Sequence, residues 1–268
     1  MSDDVAGSSI IVTGASQGIG KAVCLELAAR RARLTLAARD AAALEQVAAA
    51  CRARGGEALA VPTDVSQPAD CERLISRAVA AWGRLDALIN NAGIDMIARF
   101  DEVADLQLFE RLMRVNYLGY VYPTWFALPE LKRSRGRLVA VSSLAGLTGV
   151  PTRTGYAASK HAIFGFFDSL RIELAGTGVS VTLVAPDFVR SEIHRRAAGP
   201  DGQPLGHSPM QEARIMSAER CAHHIVEATR RRQRLRILSL RGRLGRYVRL
   251  LAPSLIDAIA ARAVRLGS

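Results

Sequence analysis

Short apolar runs alternate with segments of helical period along most of the chain. Residues 9–12, 33–38, 57–61, 86–90, 137–142 and 179–185 are compact apolar stretches, and residues 235–240 offer a seventh. Each has the length of a buried strand. Between them, Ile19, Val23 and Leu27 share one helical face, as do Cys71, Leu74, Ile75, Ala78, Val79 and Trp82. Ile163, Phe166, Phe167, Leu170 and Leu174 share another. Residues 41–54 are strong helix formers closed by Gly55-Gly56. Residues 106–132 predict a long helix interrupted near Pro123. Strands alternating with helices pair in parallel, because each crossover returns the chain to the same end of the sheet. The expected class is α/β: a doubly wound parallel sheet of about seven strands. Residues 190–209 break the rhythm with Gly199, Pro200, Gly202, Pro204, Gly206 and Pro209, and predict a mobile loop. Residues 241–266 read as an amphipathic helical pair broken at Pro253.

At 268 residues, 49% apolar and 23% charged, the chain can bury a full core, which excludes a wholly disordered protein. No apolar run reaches the length of a membrane-spanning helix. Residues 1–9 hold Asp3 and Asp4 without a basic segment, so no secretory signal is expected.

Thr13-Gly14-Ala15-Ser16-Gln17-Gly18-Ile19-Gly20 follows the first strand and opens the first helix. Glycines there let backbone approach a pyrophosphate, and a helix N-terminus supplies free N–H groups and a positive dipole end. The same glycines also suit a tight turn with no ligand. At the end of the second strand, dinucleotide sites that take NAD place an acid on the ribose. This chain has Ala38 and then Arg39, which favours a 2′-phosphate and hence NADP(H). NAD(H) stays open, because Asp40 is placed to neutralise Arg39 and Arg39 also suits a surface position.

Tyr156 and Lys160 stand one helical turn apart and share a face. A phenol with a pKa near 10 is too weak an acid for neutral pH. A neighbouring ammonium favours the phenolate, so the expectation is a lowered tyrosine pKa and acid–base chemistry. Ser142 and Ser143 end a strand, where ligand crevices form in such sheets.

In this order the motifs resemble the short-chain dehydrogenase/reductase family, of the single-domain Rossmann type, over about residues 8–240. Thr13 to Gly20 is similar to its cofactor turn, and Asn90-Asn91-Ala92-Gly93 to the motif closing its fourth strand. Asn116 in Arg-Val-Asn-Tyr, Ser143 at 13 residues before Tyr156, and Lys160 complete the pattern. The resemblance implies an oxidoreductase that moves a hydride between NADP(H) and a secondary alcohol or ketone. It implies Tyr156 as general acid or base and Lys160 on the nicotinamide ribose. Ser143 would orient the substrate oxygen, and Asn116 would hold a relay water. It implies cofactor contacts from Gly14, Ser16, Gln17, Gly18, Ile19, Gly20, Asp64, Val65, Asn91, Gly93, Val189 and Ser191, beside Arg39. Two positions depart from the family's usual pattern. Asp187 follows Pro186 where glycine is common, bringing a charge and a Cβ to the nicotinamide end. Arg31 stands where glycine often precedes the second strand. The division expected is a catalytic domain over 1–240 and a basic helical extension of it over 241–268. A catalytically silent sensor or scaffold on the same fold is the alternative. A sugar epimerase is disfavoured, since too few residues follow the sixth strand.

The net charge of +11 is uneven. Eleven arginines and one acid, Asp257, lie from Arg230 onward, so the rest of the chain is nearly neutral. Such a block suits a solvated helix face, anionic lipid or an acidic partner. Nucleic-acid binding is disfavoured, because Tyr247 is the only Phe, Tyr or Trp after Phe188. The extension resembles that of the subgroup near the 11-beta-hydroxysteroid dehydrogenases, whose members act on apolar substrates and often touch membranes. The resemblance also implies a homodimer or homotetramer built on the long helices near 106–132 and 154–175. Cys24, Cys51, Cys71 and Cys221 fit no zinc or disulfide spacing, which points to reduced thiols, no metal and a cytoplasmic site, peripheral to a membrane if the tail docks there.

Overall fold

The computed structural model describes residues 5–210 and 215–265. Its seven strands are β1 (Ser9–Thr13), β2 (Arg33–Ala38), β3 (Glu57–Pro62), β4 (Ala87–Asn90), β5 (Arg137–Val141), β6 (Ser180–Ala185) and β7 (Leu235–Ile237). They form one all-parallel sheet in the order β3-β2-β1-β4-β5-β6-β7. The α/β doubly wound Rossmann architecture is therefore as the pattern implies. The order reverses between β1 and β4, where Ile10 sits beside Leu34 on one side and Ala87 on the other. A crevice opens beyond the carboxyl ends of the strands at such a reversal.

Helices cover both faces. Ile10 and Val12 pack on one face with α1 (Gly18–Ala29), α2 (Ala41–Ala53) and α7 (Ala218–Arg230), whose Val23, Leu44 and Ile225 are fully buried. Ile11 points the opposite way, into a second core with α3 (Pro68–Trp82), α5 (Gly119–Ser134) and α6 (Thr154–Glu173), through Leu74, Leu131 and Phe167. Strands buried on both faces read as continuous apolar runs rather than alternating ones.

Three expectations about the chain's path are corrected. The interruption of the long helix is not at Pro123. α4 (Gln107–Met113) passes into a wide π-type turn at Arg114–Leu118 and restarts as α5, with Pro123 inside it. The restart leaves Pro123 close to the first turn of α5, where a missing N–H disturbs the ladder least. The loop predicted as mobile is tied down. Ala198 N–H donates to the Asp95 carbonyl, Ile97 N–H to the Ala198 carbonyl and Leu205 N–H to the Ala197 carbonyl, while Ala197 and His194 are buried. Glycine and proline content does not reveal such long-range backbone pairing. β7 ends early because Ser239 accepts from Gly242 N–H and caps α8 (Leu240–Leu251).

Arg31 adopts φ 60 after α1, so an exposed arginine occupies the left-handed turn that glycine would take without strain. That conformation costs about 1 kcal/mol in a non-glycine residue. α8 and α9 (Pro253–Arg265) form the expected pair broken at Pro253. α8 lies close against the body at Gly242, where a Cβ would come within 2.4 Å of Leu144. Several of the basic residues are structural. Arg232 donates to the carbonyls of Arg135, Gly136 and Gly178, and Arg249 to that of Leu147. Leu244, Tyr247, Leu250, Leu251 and Leu255 of the pair remain exposed. Among the described residues no helix is long and apolar enough to cross a membrane.

Candidate active site

A groove runs along the crevice at the sheet's reversal. Gly14, Ser16, Gln17, Gly18, Ile19, Gly20, Arg39, Asp64, Val65, Asn91, Gly93, Tyr156, Lys160 and Ser191 all line it. Gly14 and Gly18 have φ of 66 and 53, and a Cβ on Gly14 would lie 2.8 Å from the Ala92 Cα. Asn91 braces this turn, its Nδ2 donating to the Thr13 carbonyl at 2.9 Å. Thr13 Oγ1 accepts from Asn91 and Ala92 N–H at 2.9 and 3.1 Å. No side chain caps the start of α1 and no acid stands in its first turn. Its positive end is therefore left for an anion.

At the far end of the groove, Arg39 is exposed and has no hydrogen bond or ion pair among the described residues. Asp40 does not neutralise it. The Asp40 carboxylate accepts from Ala43 N–H at 3.0 Å and caps α2. Asp64 accepts from the Ser66 N–H and hydroxyl at 2.9 and 2.7 Å, which holds the turn after β3 against the groove. Val189 is not on the groove wall; its side chain is buried in the core under α7. Glu192, Ile193 and Arg196 line the groove as well, and nothing in their local spacing marks them.

Four polar side chains meet at the inner end. Ser143 and Tyr156 line the same cavity wall, and Ser143 acts on the phenol to lower its pKa. Ser142 instead donates to the Lys160 carbonyl at 3.1 Å, and so belongs to the scaffold. Lys160 Nζ donates to the Val141 carbonyl at 3.3 Å and lies 5.6 Å from the centre of the Tyr156 ring. Asn116 is fully buried in the wide turn. It accepts from Ile94 N–H at 2.8 Å and donates to the Ile94 carbonyl and Ser159 Oγ at 2.9 and 3.0 Å. The wide turn breaks the helical register at this residue, and Asn116 ties it to the strand-end loop.

The expected depression of the phenol pKa is not found in the protein alone. Burial pushes Tyr156 well above its ordinary value, the Asp95 carboxylate adds to this, and Arg153 and Ser143 only partly offset it. Burial lowers Lys160 to about 8, with Asp95 opposing. Helical spacing places the ammonium on the right face, but it says nothing about desolvation, which is the larger effect here.

A second pocket opens on the other side of Tyr156, which lines both cavities. Its walls are largely apolar, including Leu144, Leu147, Val150, Phe188, Ile256 and Ile259. The last two belong to α9, so the C-terminal pair forms part of the wall. Asp187 accounts for its position here. Its carboxylate accepts from Arg241 Nε and Nη2 at 2.6 and 2.8 Å, which fastens α8 to the end of β6. Burial pushes the Asp187 pKa up, but the Arg241 guanidinium bonded to it and the nearby Ser239 outweigh this, and the net shift is downward. A lowered carboxylate pKa contributes stability above the unfolded value, and that stability is lost as pH falls through the folded value. Arg241→Ala is expected to loosen this wall. Because Arg241 is half exposed, the pair is worth about 1 kcal/mol, which predicts a roughly fivefold rise in KM for an apolar substrate with kcat less affected. An unchanged KM in steady-state kinetics would show that the ion pair does not shape the pocket. Sequence reading singled out Asp187 but not its partner, 54 residues away.

Comparison with known proteins gives one consistent result. Residues 8–200 match the family model described as short chain dehydrogenase. The chain is 38% identical over 239 residues to 11-beta-hydroxysteroid dehydrogenase A of Sesamum indicum, covering 87% of this chain and 68% of that protein. It is 36% identical over 264 residues to 11-beta-hydroxysteroid dehydrogenase A of Arachis hypogaea, covering 96% and 75%. It is 40% identical over 226 residues to 11-beta-hydroxysteroid dehydrogenase-like 4A of Arabidopsis thaliana, covering 84% and 74%.

Proposed function

The chain belongs to the short-chain dehydrogenase family, near the 11-beta-hydroxysteroid dehydrogenase-like subgroup, and on that premise we propose that it interconverts an apolar secondary alcohol and its ketone with NADP(H). One observation carries the reading: a cofactor-shaped groove and an apolar pocket meet at Tyr156. The residues present suit the dinucleotide. The glycine turn leaves backbone at the groove wall, the start of α1 is uncapped, and Arg39 has no partner among the described residues, Asp40 being engaged at the N-terminus of α2. NADP(H), when bound, supplies or accepts the hydride.

The chain's own residues hold and move the proton. Tyr156 donates its phenolic proton to the carbonyl oxygen in reduction and takes it back in oxidation. Ser143 holds that oxygen beside the phenol. Lys160 carries positive charge at the inner end of the groove, and Asn116 keeps the loop carrying Gly93 and Ile94 in place. Apolar walls from α9 and residues 144–150 exclude water and favour a hydrophobic substrate. The names of the relatives, which are hydroxysteroid dehydrogenases, support the same class. We take residues 1–240 as the catalytic domain and 241–268 as its extension. Trp125 on α5 and Ile172 on α6, 74% and 75% exposed, support a homo-oligomer built on those helices. Exposed leucines beside arginines on the C-terminal pair support contact of a cytoplasmic protein with an anionic membrane surface.

The test is a paired titration with NADPH and NADH, followed by a screen of apolar ketones. Tight NADPH binding is expected. Arg39→Ala should weaken it roughly tenfold to hundredfold, the worth of a charge-assisted phosphate contact, while NADH binding stays unchanged. Equal losses for both nucleotides would remove Arg39 from the 2′-phosphate. Binding of neither would overturn the oxidoreductase reading.

A further inference from the structure

The apolar pocket contains two buried polar side chains whose hydrogen bonds the protein does not complete. Arg153 immediately precedes α6, and its side chain is 6% exposed. Its Nη1 donates to Asp95 Oδ2 at 2.6 Å, while its Nη2 has no partner among the described residues. The rings of Tyr156 and Phe188 lie 5.9 and 5.6 Å from its guanidinium carbon. Those contacts attract the charge but offer no lone pair to the in-plane N–H groups. His194, with a side chain 7% exposed, is equally unsatisfied. Neither ring nitrogen makes a hydrogen bond among the described residues, although Nδ1 approaches Asp95 Oδ2 to 3.5 Å. Arg153 and His194 both line the pocket that also holds Ser143 and Tyr156.

Buried donors without acceptors are rare in folded proteins and are expensive to keep. Two of them in one apolar cavity mark a place where a ligand atom completes the set. Asp95 already balances the Arg153 charge, so the pair presents N–H groups without a net charge. That favours an uncharged oxygen over a carboxylate. The short span from Arg153 to the Tyr156 ring puts this oxygen at the reacting end of the ligand. We propose that Arg153 and His194 form a second polar subsite, which selects an apolar ketone or alcohol carrying a further uncharged oxygen near the reacting carbon. The proposal rests on the oxidoreductase reading for the identity of that carbon, and sequence motifs alone do not contain it.

The test measures binding separately from turnover. The full-length protein without cofactor is titrated calorimetrically with cyclododecanone and with its α-hydroxy derivative. The hydroxy ketone is expected to bind at least about tenfold more tightly, because a site built around donors rejects the analogue lacking the acceptor. The ratio should fall toward one in His194→Phe and in the double variant Asp95→Asn with Arg153→Met. The double change avoids leaving an unpaired buried carboxylate. Equal binding by the unaltered protein, a ratio that survives both variants, or no binding of either ketone would overturn the subsite. Turnover with NADPH is then assayed on both ketones. Preference without turnover sustains the subsite and removes the oxidoreductase reading; turnover without preference does the reverse.

Discussion

Tyr156→Phe is expected to lower kcat/KM about a thousandfold while NADPH binds with nearly unchanged affinity. The substitution removes one oxygen and keeps the ring, which packs beside Met96, Leu108 and Leu112. General acid–base catalysis contributes roughly a hundredfold to ten-thousandfold, and among the described residues Tyr156 is the one phenol that lines both cavities. Tyr120 is close, but its hydroxyl donates to the Val141 carbonyl at 2.8 Å and is spent on the scaffold. Steady-state kinetics with NADPH and an accepted ketone, paired with a nucleotide titration, would check this. Near-normal turnover would take the proton away from Tyr156. Loss of both turnover and binding would indicate a disturbed groove.

Gly20→Ala should be the most damaging single methyl group in the cofactor turn. Alanine ordinarily gains about 1 kcal/mol over glycine inside a helix. Here the added Cβ would lie 2.1 Å from the Gly14 carbonyl oxygen and 2.7 Å from Asn91 Nδ2. Neither can retreat: the Gly14 oxygen is backbone, and Asn91 is held by Thr13. Overpacking of this kind costs up to about 3 kcal/mol, so overlap outweighs propensity. A net loss of about 2 kcal/mol implies a melting temperature lower by roughly 4–8 °C. Displacing the Gly14 turn should also weaken NADPH roughly a hundredfold, equivalent to about 2.8 kcal/mol. Thermal unfolding and the same titration measure both. A variant of unchanged stability and affinity would mean the turn relaxes freely.

Much of the fold was legible because each buried strand is a short apolar run between helical faces. Residues 9–12 and 179–185 fall within a residue of the observed strands β1 and β6. The cofactor turn was legible for a local reason. Close approach of backbone demands glycine at fixed spacing, whatever surrounds it. Tyr156 and Lys160 were legible because a helix places residues four apart on one face.

Other features depended on distance in space. The helical break moved from Pro123 to residues 114–118, because the loop after β4 needs Asn116 at that register. Asp40 is next to Arg39 in sequence, yet it serves the N-terminus of α2 rather than pairing with Arg39. Asp187 finds Arg241 only because β6 ends beneath α8. Arg153, Asp95 and His194 come from three separated segments and carry no common spacing. Periodicity and local sterics act over a few residues, so they sufficed for the order of elements, the glycine cradle and the paired Tyr156 and Lys160. Tertiary structure decided which charges are paired, which donors stay unsatisfied and how far burial shifts a proton, since desolvation and Coulomb attraction depend on neighbours the chain brings together only when folded.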